Sequence, residues 1–218
     1  MADFAAARKN MVNSQIRTNR VTDPGLLSAL AETPRERFLG SHLRDIAYID
    51  EDLAIGGGRY MMEPMVLARM IQALDLDAGD VVLDIGCASG YSSAVLARLT
   101  TAVVALESDS SLAREATTNF AEIGVDNVVV VEEELSHGYM EQAPYQAIIL
   151  NGAVPEVPEE LISQLAEGGR LCAVIDNGTG SGQVVRSVRR GATVATQVLF
   201  DANVPPLPGF DREPGFVF

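Results

Sequence analysis

The 218-residue chain has no tryptophan, two cysteines, two histidines and little positive charge, with 16 Lys and Arg against 30 Asp and Glu. Each shortage excludes something. Cys87 and Cys172 are too far apart for a CxxC pair or a zinc cluster, and His42 and His137 stand alone, so no metal site is expected. A formal charge of −14 and a pI near 4.5 lack the clustered Lys and Arg that a nucleic-acid backbone demands. The excess acid reads as solubility and mild self-repulsion. No apolar run reaches the ~20 residues of a membrane span. The opening Met-Ala-Asp-Phe has no apolar core of signal-peptide type. Together with the scarce cysteines, this points to a soluble protein of the reducing cytoplasm. A hydrophobic share of 47% excludes wholesale disorder and is enough to build a core without disulfides.

What is present is a regular alternation. Before residue 60 the pattern is helical: Phe4, Met11, Val12 and Ile16 fall on one face, and Thr22-Asp23-Pro24 opens a second helix with Leu26, Leu27 and Leu30 on its stripe. Gly56-Gly57-Gly58 marks irregular backbone, and a helix over 64–77 follows. From residue 81, short apolar runs at 81–85, 103–106, 128–131, 147–150 and 171–175 alternate with helices at 91–99, 112–123 and 159–166. Strands this apolar and short are buried on both faces of a parallel sheet. Residues 183–190 and 193–200 switch to period-2 alternation, which predicts antiparallel strands at the sheet edge. The fold class is therefore α/β: a doubly wound, mainly parallel sheet with an antiparallel edge and an N-terminal helical cap. We read residues 1–218 as one domain, with the cap and a loop region at 1–60, the core at 61–200 and a Pro-rich tail at 201–218. Phe210, Phe216 and Phe218 make that tail apolar enough to dock on a surface.

The stretch with chemical content is Val82-Leu83-Asp84-Ile85-Gly86-Cys87-Ala88-Ser89-Gly90-Tyr91. A buried strand ends, a small-residue turn follows, and a helix opens. Small residues let a ligand approach the backbone, and free amides at the helix start face the crevice. A dinucleotide loop would read GxGxxG, and no Walker lysine follows, so the shorter turn suits an adenosine ligand without phosphates, such as S-adenosylmethionine. Glu107 ends the next strand about 20 residues on, the offset of a carboxylate that accepts from ribose hydroxyls. Taken alone, Glu107 is also what a solvated strand end looks like.

These residues resemble the protein-L-isoaspartate O-methyltransferases over about residues 10–209. The likeness rests on the glycine turn and on flanking segments in order: Asn13-Ser14-Gln15-Ile16, Pro34-Arg35-Glu36-Arg37-Phe38, Ala47-Tyr48-Ile49-Asp50, Gln164 to Leu171, and Val204-Pro205-Pro206-Leu207. The resemblance implies a Rossmann-like class I methyltransferase whose cofactor is S-adenosylmethionine and whose substrate is a damaged protein or peptide bearing L-isoaspartate. Asp84, Gly86, Cys87, Ala88, Ser89, Gly90, Glu107 and Ser108 would line the methionine and ribose, with Glu134 and Leu135 near the adenine.

The sequence departs from the family at the substrate loop, which usually reads Gln-Thr-Ile-Ser-Gln-Pro. Here it is Arg59-Tyr60-Met61-Met62-Glu63-Pro64, so Met62 stands where the family has its substrate Ser, and a thioether donates no hydrogen bond. The family's Gly-Asp-Gly after the third core strand has become Glu133-Glu134-Leu135. Arg59 could replace the lost hydroxyl as a bidentate carboxylate clamp, or be a solvated loop charge. The sequence thus supports isoaspartyl methylation, methylation of another acceptor suited to a Met-rich loop, or a cofactor-binding interaction protein that does not catalyse.

Overall fold

The computed structural model describes residues 3–176, 178 and 181–210. Its N-terminal cap begins with α1 (Phe4–Asn10), capped by Asp3 accepting from the Ala6 amide, and runs on through a π turn that buries Met11, Val12 and Ile16. Helix α2 (Pro24–Glu32) starts as expected: Pro24 sits in its first turn and Asp23 accepts from the Leu26 amide at 2.6 Å.

A two-stranded hairpin, β1 (Leu53–Gly56) and β2 (Arg59–Met61), then forms where only irregular backbone was expected. Gly57 and Gly58 both have positive φ, +59° and +72°, between the paired Gly56 and Arg59. This is the backbone demanded by a two-residue type I′ turn. Helix α3 (Pro64–Ala73) follows and stops earlier than its apolar pattern suggested.

The main sheet contains β3 (Val81–Ile85), β4 (Ala102–Glu107), β5 (Val128–Glu132), β6 (Tyr145–Val154), β7 (Leu165–Ile175), β8 (Gln183–Arg190) and β9 (Thr193–Asp201), in the order β5-β4-β3-β6-β7-β8-β9. The first five are parallel, and β8 and β9 form the antiparallel edge. Strand alternation divides the core. Val82, Val103, Ala105, Ile149 and Cys172 face the layer containing the cap, α3, α4 (Tyr91–Ala97) and part of α5 (Ser110–Ile123). Leu83, Ile85, Leu106, Ile148 and Leu171 face α6 (Glu159–Ser163), with Leu207 and Phe210 of the C-terminal segment. Phe210 docks as expected; Phe216 and Phe218 lie outside the described residues.

Two expectations needed correction. The helix at 159–166 ends at Ser163, and β7 begins at Leu165, because Leu165 pairs with Tyr145 and the Gln164 carbonyl accepts from the Tyr145 amide. Leu161 and Leu165, four apart, are buried either way, so the period did not decide between helix and strand. Strand β5 is an outer strand rather than one buried on both faces, and it leaves Val129 62% exposed.

Candidate active site

The chain leaves β3 for β4 and β5 on one side, then returns to β6 on the other. The carboxyl ends of β3 and β6 therefore flank a topological switch point, where open α/β sheets bind ligands. Three surface depressions elsewhere are larger than the space at the switch point, and the one beside Asp75, Arg170 and Arg186 lies at the opposite ends of the strands.

The glycine turn fills the switch point. Gly86, Ala88 and Gly90 take φ of +73°, +53° and +99°, which explains the small residues. A side chain on Gly86 would strike Arg59 Nη2 at 2.5 Å and Leu207 Cδ1 at 2.7 Å. The Gly86 and Cys87 amides both donate to the Leu106 carbonyl, and the Ala88 amide donates to Glu107 Oε2 at 2.8 Å, so these three turn amides are tied to the neighbouring strand. Ser89 is tied to the cap, its hydroxyl donating to the Phe38 carbonyl at 2.7 Å.

Asp84 is fully buried. Ser92 and Ser93 donate to its Oδ2, and Asn151 donates to its Oδ1. Burial raises its pKa, and the three donors work against the rise. Asp84 thus shapes the turn from beneath. Cys87 is 3% exposed, and burial followed by the charges of Asp84 and Glu107 lifts its thiol well above the usual range, so it is no nucleophile.

Glu107 is likewise fully buried, not a solvated strand end. Oε1 accepts from the amides of Ser108 at 2.8 Å and Asp109 at 3.1 Å, and from Arg59 Nη1 at 3.3 Å. Oε2 accepts from Ala88 and lies 3.2 Å from Arg59 Nη2. Four N–H groups thus donate to a carboxylate that has about four lone-pair sites, and Arg59 Nη2 adds a charged contact. Arg59, only 3% exposed, also donates from Nη2 to the Gly86 carbonyl at 2.7 Å. The arginine expected as a carboxylate clamp or a solvated charge is instead clamped on the protein's own acid.

Met62 is 5% exposed, and its carbonyl accepts from Arg35 Nη2 at 2.8 Å. Arg35 is buried completely, donates from Nε to the Ala47 carbonyl, and lies 4.8 Å from the Tyr91 ring centre. Arg35 therefore pins the loop at 59–64 to the cap. Asp50, Asp52 and Glu63 gather where the loop enters α3: Asp52 accepts from the Glu63 amide and Asp50 from the Met65 amide. Burial, then Asp52, Asp50 and Glu51, push the Glu63 carboxyl up to about 7. Glu134 and Leu135 are not brought into this cluster. The Glu134 side chain is 77% exposed beside His137, while Leu135 is buried in the core.

Sequence reasoning missed Asn151 and Leu207. Asn151 ends an apolar run as Glu107 does, a signal that was there to be used. Leu207 stood in a segment that carries the resemblance, but its contact with Gly86 spans the chain and leaves no local pattern. Among the described residues, no group of three His, Cys, Asp or Glu could hold a metal, and no helix is long and apolar enough to cross a membrane.

A strand-end carboxylate beside a left-handed glycine turn is the donor set an adenosine ribose requires, so the residues fit S-adenosylmethionine in kind. The space beside them is small in this conformation. Cavities of about 20 Å³ and 10 Å³ flank Met62 and Asn151, room for a water at most, against the several hundred Å³ of a ligand pocket.

The sequence model describing protein-L-isoaspartate(D-aspartate) O-methyltransferases matches residues 6–207. Protein-L-isoaspartate O-methyltransferase 1 of Rhodopseudomonas palustris is 40% identical, over 94% of this chain and 84% of its own length. The protein-L-isoaspartate O-methyltransferase of Roseiflexus castenholzii is 39% identical, over 95% and 94%. Among solved structures, a protein-L-isoaspartate O-methyltransferase superposes with a TM-score of 0.83 at 26% identity, covering 93% of this chain and 67% of that one. A Plasmodium falciparum protein assigned the same activity, solved with S-adenosyl-L-homocysteine, shares the fold, with a TM-score of 0.79 at 19% identity, over 96% of this chain and all of that one.

Proposed function

The chain belongs to the protein-L-isoaspartate(D-aspartate) O-methyltransferase family, and we propose that it methylates the carboxylate of L-isoaspartyl residues in damaged proteins, using the switch-point cluster described above. It is an S-adenosylmethionine-dependent O-methyltransferase of Rossmann-like class I fold. One observation carries the assignment of the site: a glycine turn and a strand-end carboxylate, Gly86–Gly90 and Glu107, meet at the switch point of the sheet.

S-adenosylmethionine supplies the methyl group as an electrophilic sulfonium. Gly86, Ser89 and Gly90 would hold its methionine side, and Glu107 with Ser108 its ribose; Glu134 and Leu135, next to Glu133 whose amide donates to the Glu107 carbonyl, would stand near the adenine. A carboxylate acceptor is already ionised at neutral pH, so no general base is required. The protein's task is alignment and exclusion of water. Met61 and Met62 supply apolar walls, and Arg35 fixes the loop that carries them.

A second acceptor class is favoured by one feature. Met62 offers no hydroxyl, and the acids at 50–52 with Glu63 would repel a carboxylate, whereas a neutral or cationic acceptor meets no such penalty. Methyl-labelled cofactor supplied with an isoaspartyl peptide, beside the normal aspartyl peptide, decides between the two. A base-labile methyl ester on the first alone is expected. Failure on both, with cofactor bound, would remove the repair reading. Two buried free cysteines suit work in a reducing cytoplasm, where the chain would act as one catalytic unit.

A further inference from the structure

We propose that Arg59 is a latch: in the resting protein its guanidinium occupies the ribose subsite on Glu107, and the cofactor enters only when the β1–β2 hairpin carries Arg59 away. The inference rests on the reading of Glu107 as the ribose carboxylate.

Three observations carry it. Glu107 is saturated: it is fully buried, its four donors match its lone-pair sites, and Arg59 supplies one of them from Nη1 and a charged contact from Nη2. Arg59 is the partner that can leave, because the amides of Ala88, Ser108 and Asp109 belong to the turn and strand end that form the site. Ribose hydroxyls donate as N–H groups do, so a diol would take over the guanidinium's place without changing the carboxylate's charge. Arg59 also closes the glycine cradle, because its Nη2 fills the space over Gly86.

The hairpin is built to move. It forms a sheet of its own, without strand pairing to the seven-stranded sheet. At its tip, side chains on Gly56 and Gly58 would meet nothing within 4 Å, and one on Gly57 only Asp109 Oδ2 at 3.1 Å. The fixed end is Met62, held by Arg35, so the tip and Arg59 can pivot while Met62 stays in place. A released Arg59 has a destination too. Asp52 lines the same small cavity, and Asp50 and Glu63 lie beside it.

The latch makes the apparent affinity the intrinsic one reduced by the open fraction. An open fraction of about one tenth gives a tenfold weakening. Substituting the family's usual residue, Arg59→Gln, should therefore tighten S-adenosylhomocysteine binding at least tenfold by titration calorimetry, and Arg59→Ala should do the same. In the unmodified protein the observed binding rate should level off at high ligand concentration, while in the variants it keeps rising. Equal or weaker binding in both variants overturns the latch, and so does an absence of binding in all three proteins. The repair reading fails separately. Tighter binding by Arg59→Gln without methyl ester on an isoaspartyl peptide keeps the latch and removes repair, whereas equal affinity with ester formed removes the latch and keeps repair.

Discussion

Replacing Glu107 by Gln tests how the site is held together, independently of any ligand. The substitution keeps the shape, removes the charge and turns an N–H₂ toward buried amides that are themselves donors. It also strands Arg59, 3% exposed, with no counter-charge in contact. Removing one member of a buried pair costs about 3–5 kcal/mol, because the remaining charge is desolvated without compensation. Arg59→Gln is milder. Glu107 keeps three backbone donors, and the main loss is the bond to the Gly86 carbonyl, about 1–3 kcal/mol. In the double variant the stranded charge is gone, so its cost should fall short of the two single costs added together by about 2 kcal/mol. Urea denaturation followed by far-UV circular dichroism measures all four proteins, with coincident tyrosine fluorescence as the check for a single transition. In heating experiments the Glu107→Gln variant should melt roughly 6–20 °C lower, given about 2–4 °C per kcal/mol for a chain of this length. Additive costs, within about 0.5 kcal/mol, would refute the pairing as an energetic unit.

Three further outcomes are expected. Asn151→Leu deprives buried Asp84 of a donor on Oδ1 and should cost about 1–3 kcal/mol in the same urea assay; a cost under about 0.5 would mean that the two serines alone satisfy the carboxylate. Glu63 is held up at about 7, above its unfolded value, so the folded state binds the extra proton. Its contribution is complete below about pH 4.3 and is lost as pH rises through 7, so stability should fall over that window more steeply than in Glu63→Gln; parallel pH profiles would contradict this. Cys87 and Cys172, both buried with raised pKa, should resist alkylation at pH 8 until the protein unfolds, with mass spectrometry counting the adducts.

The parts of this fold legible beforehand were those whose physics is local. Strands β3 and β4 announce themselves by buried apolar runs, and α2 by Asp23-Pro24. Glu107 was legible because it ends such a run. What stayed hidden was pairing at a distance. No local pattern reveals that Arg59 reaches an acid 48 residues away, so the sequence left it between a substrate clamp and a solvated charge. Gly56-Gly57-Gly58 was read as a break, although two glycines between short alternating runs are also the signal of a tight hairpin. Leu161 and Leu165 suit a helix face, and only β6 pulls the second of them into a strand.

The segment at 204–207 gives the site a history in time. The Leu207 amide donates to the Ala153 carbonyl, the Ala153 amide donates to Pro205, and Leu207 sits against both Gly86 and Gly152. A ribosome makes the turn, its acid and the whole parallel sheet before this last covering piece. During synthesis the walls thus exist as chain before the roof does, and the site is complete only when residues 204–207 dock. The glycines at 86 and 152 keep a berth for a residue added late, and a side chain on Gly152 would meet Leu207 Cβ at 2.9 Å once that segment docks.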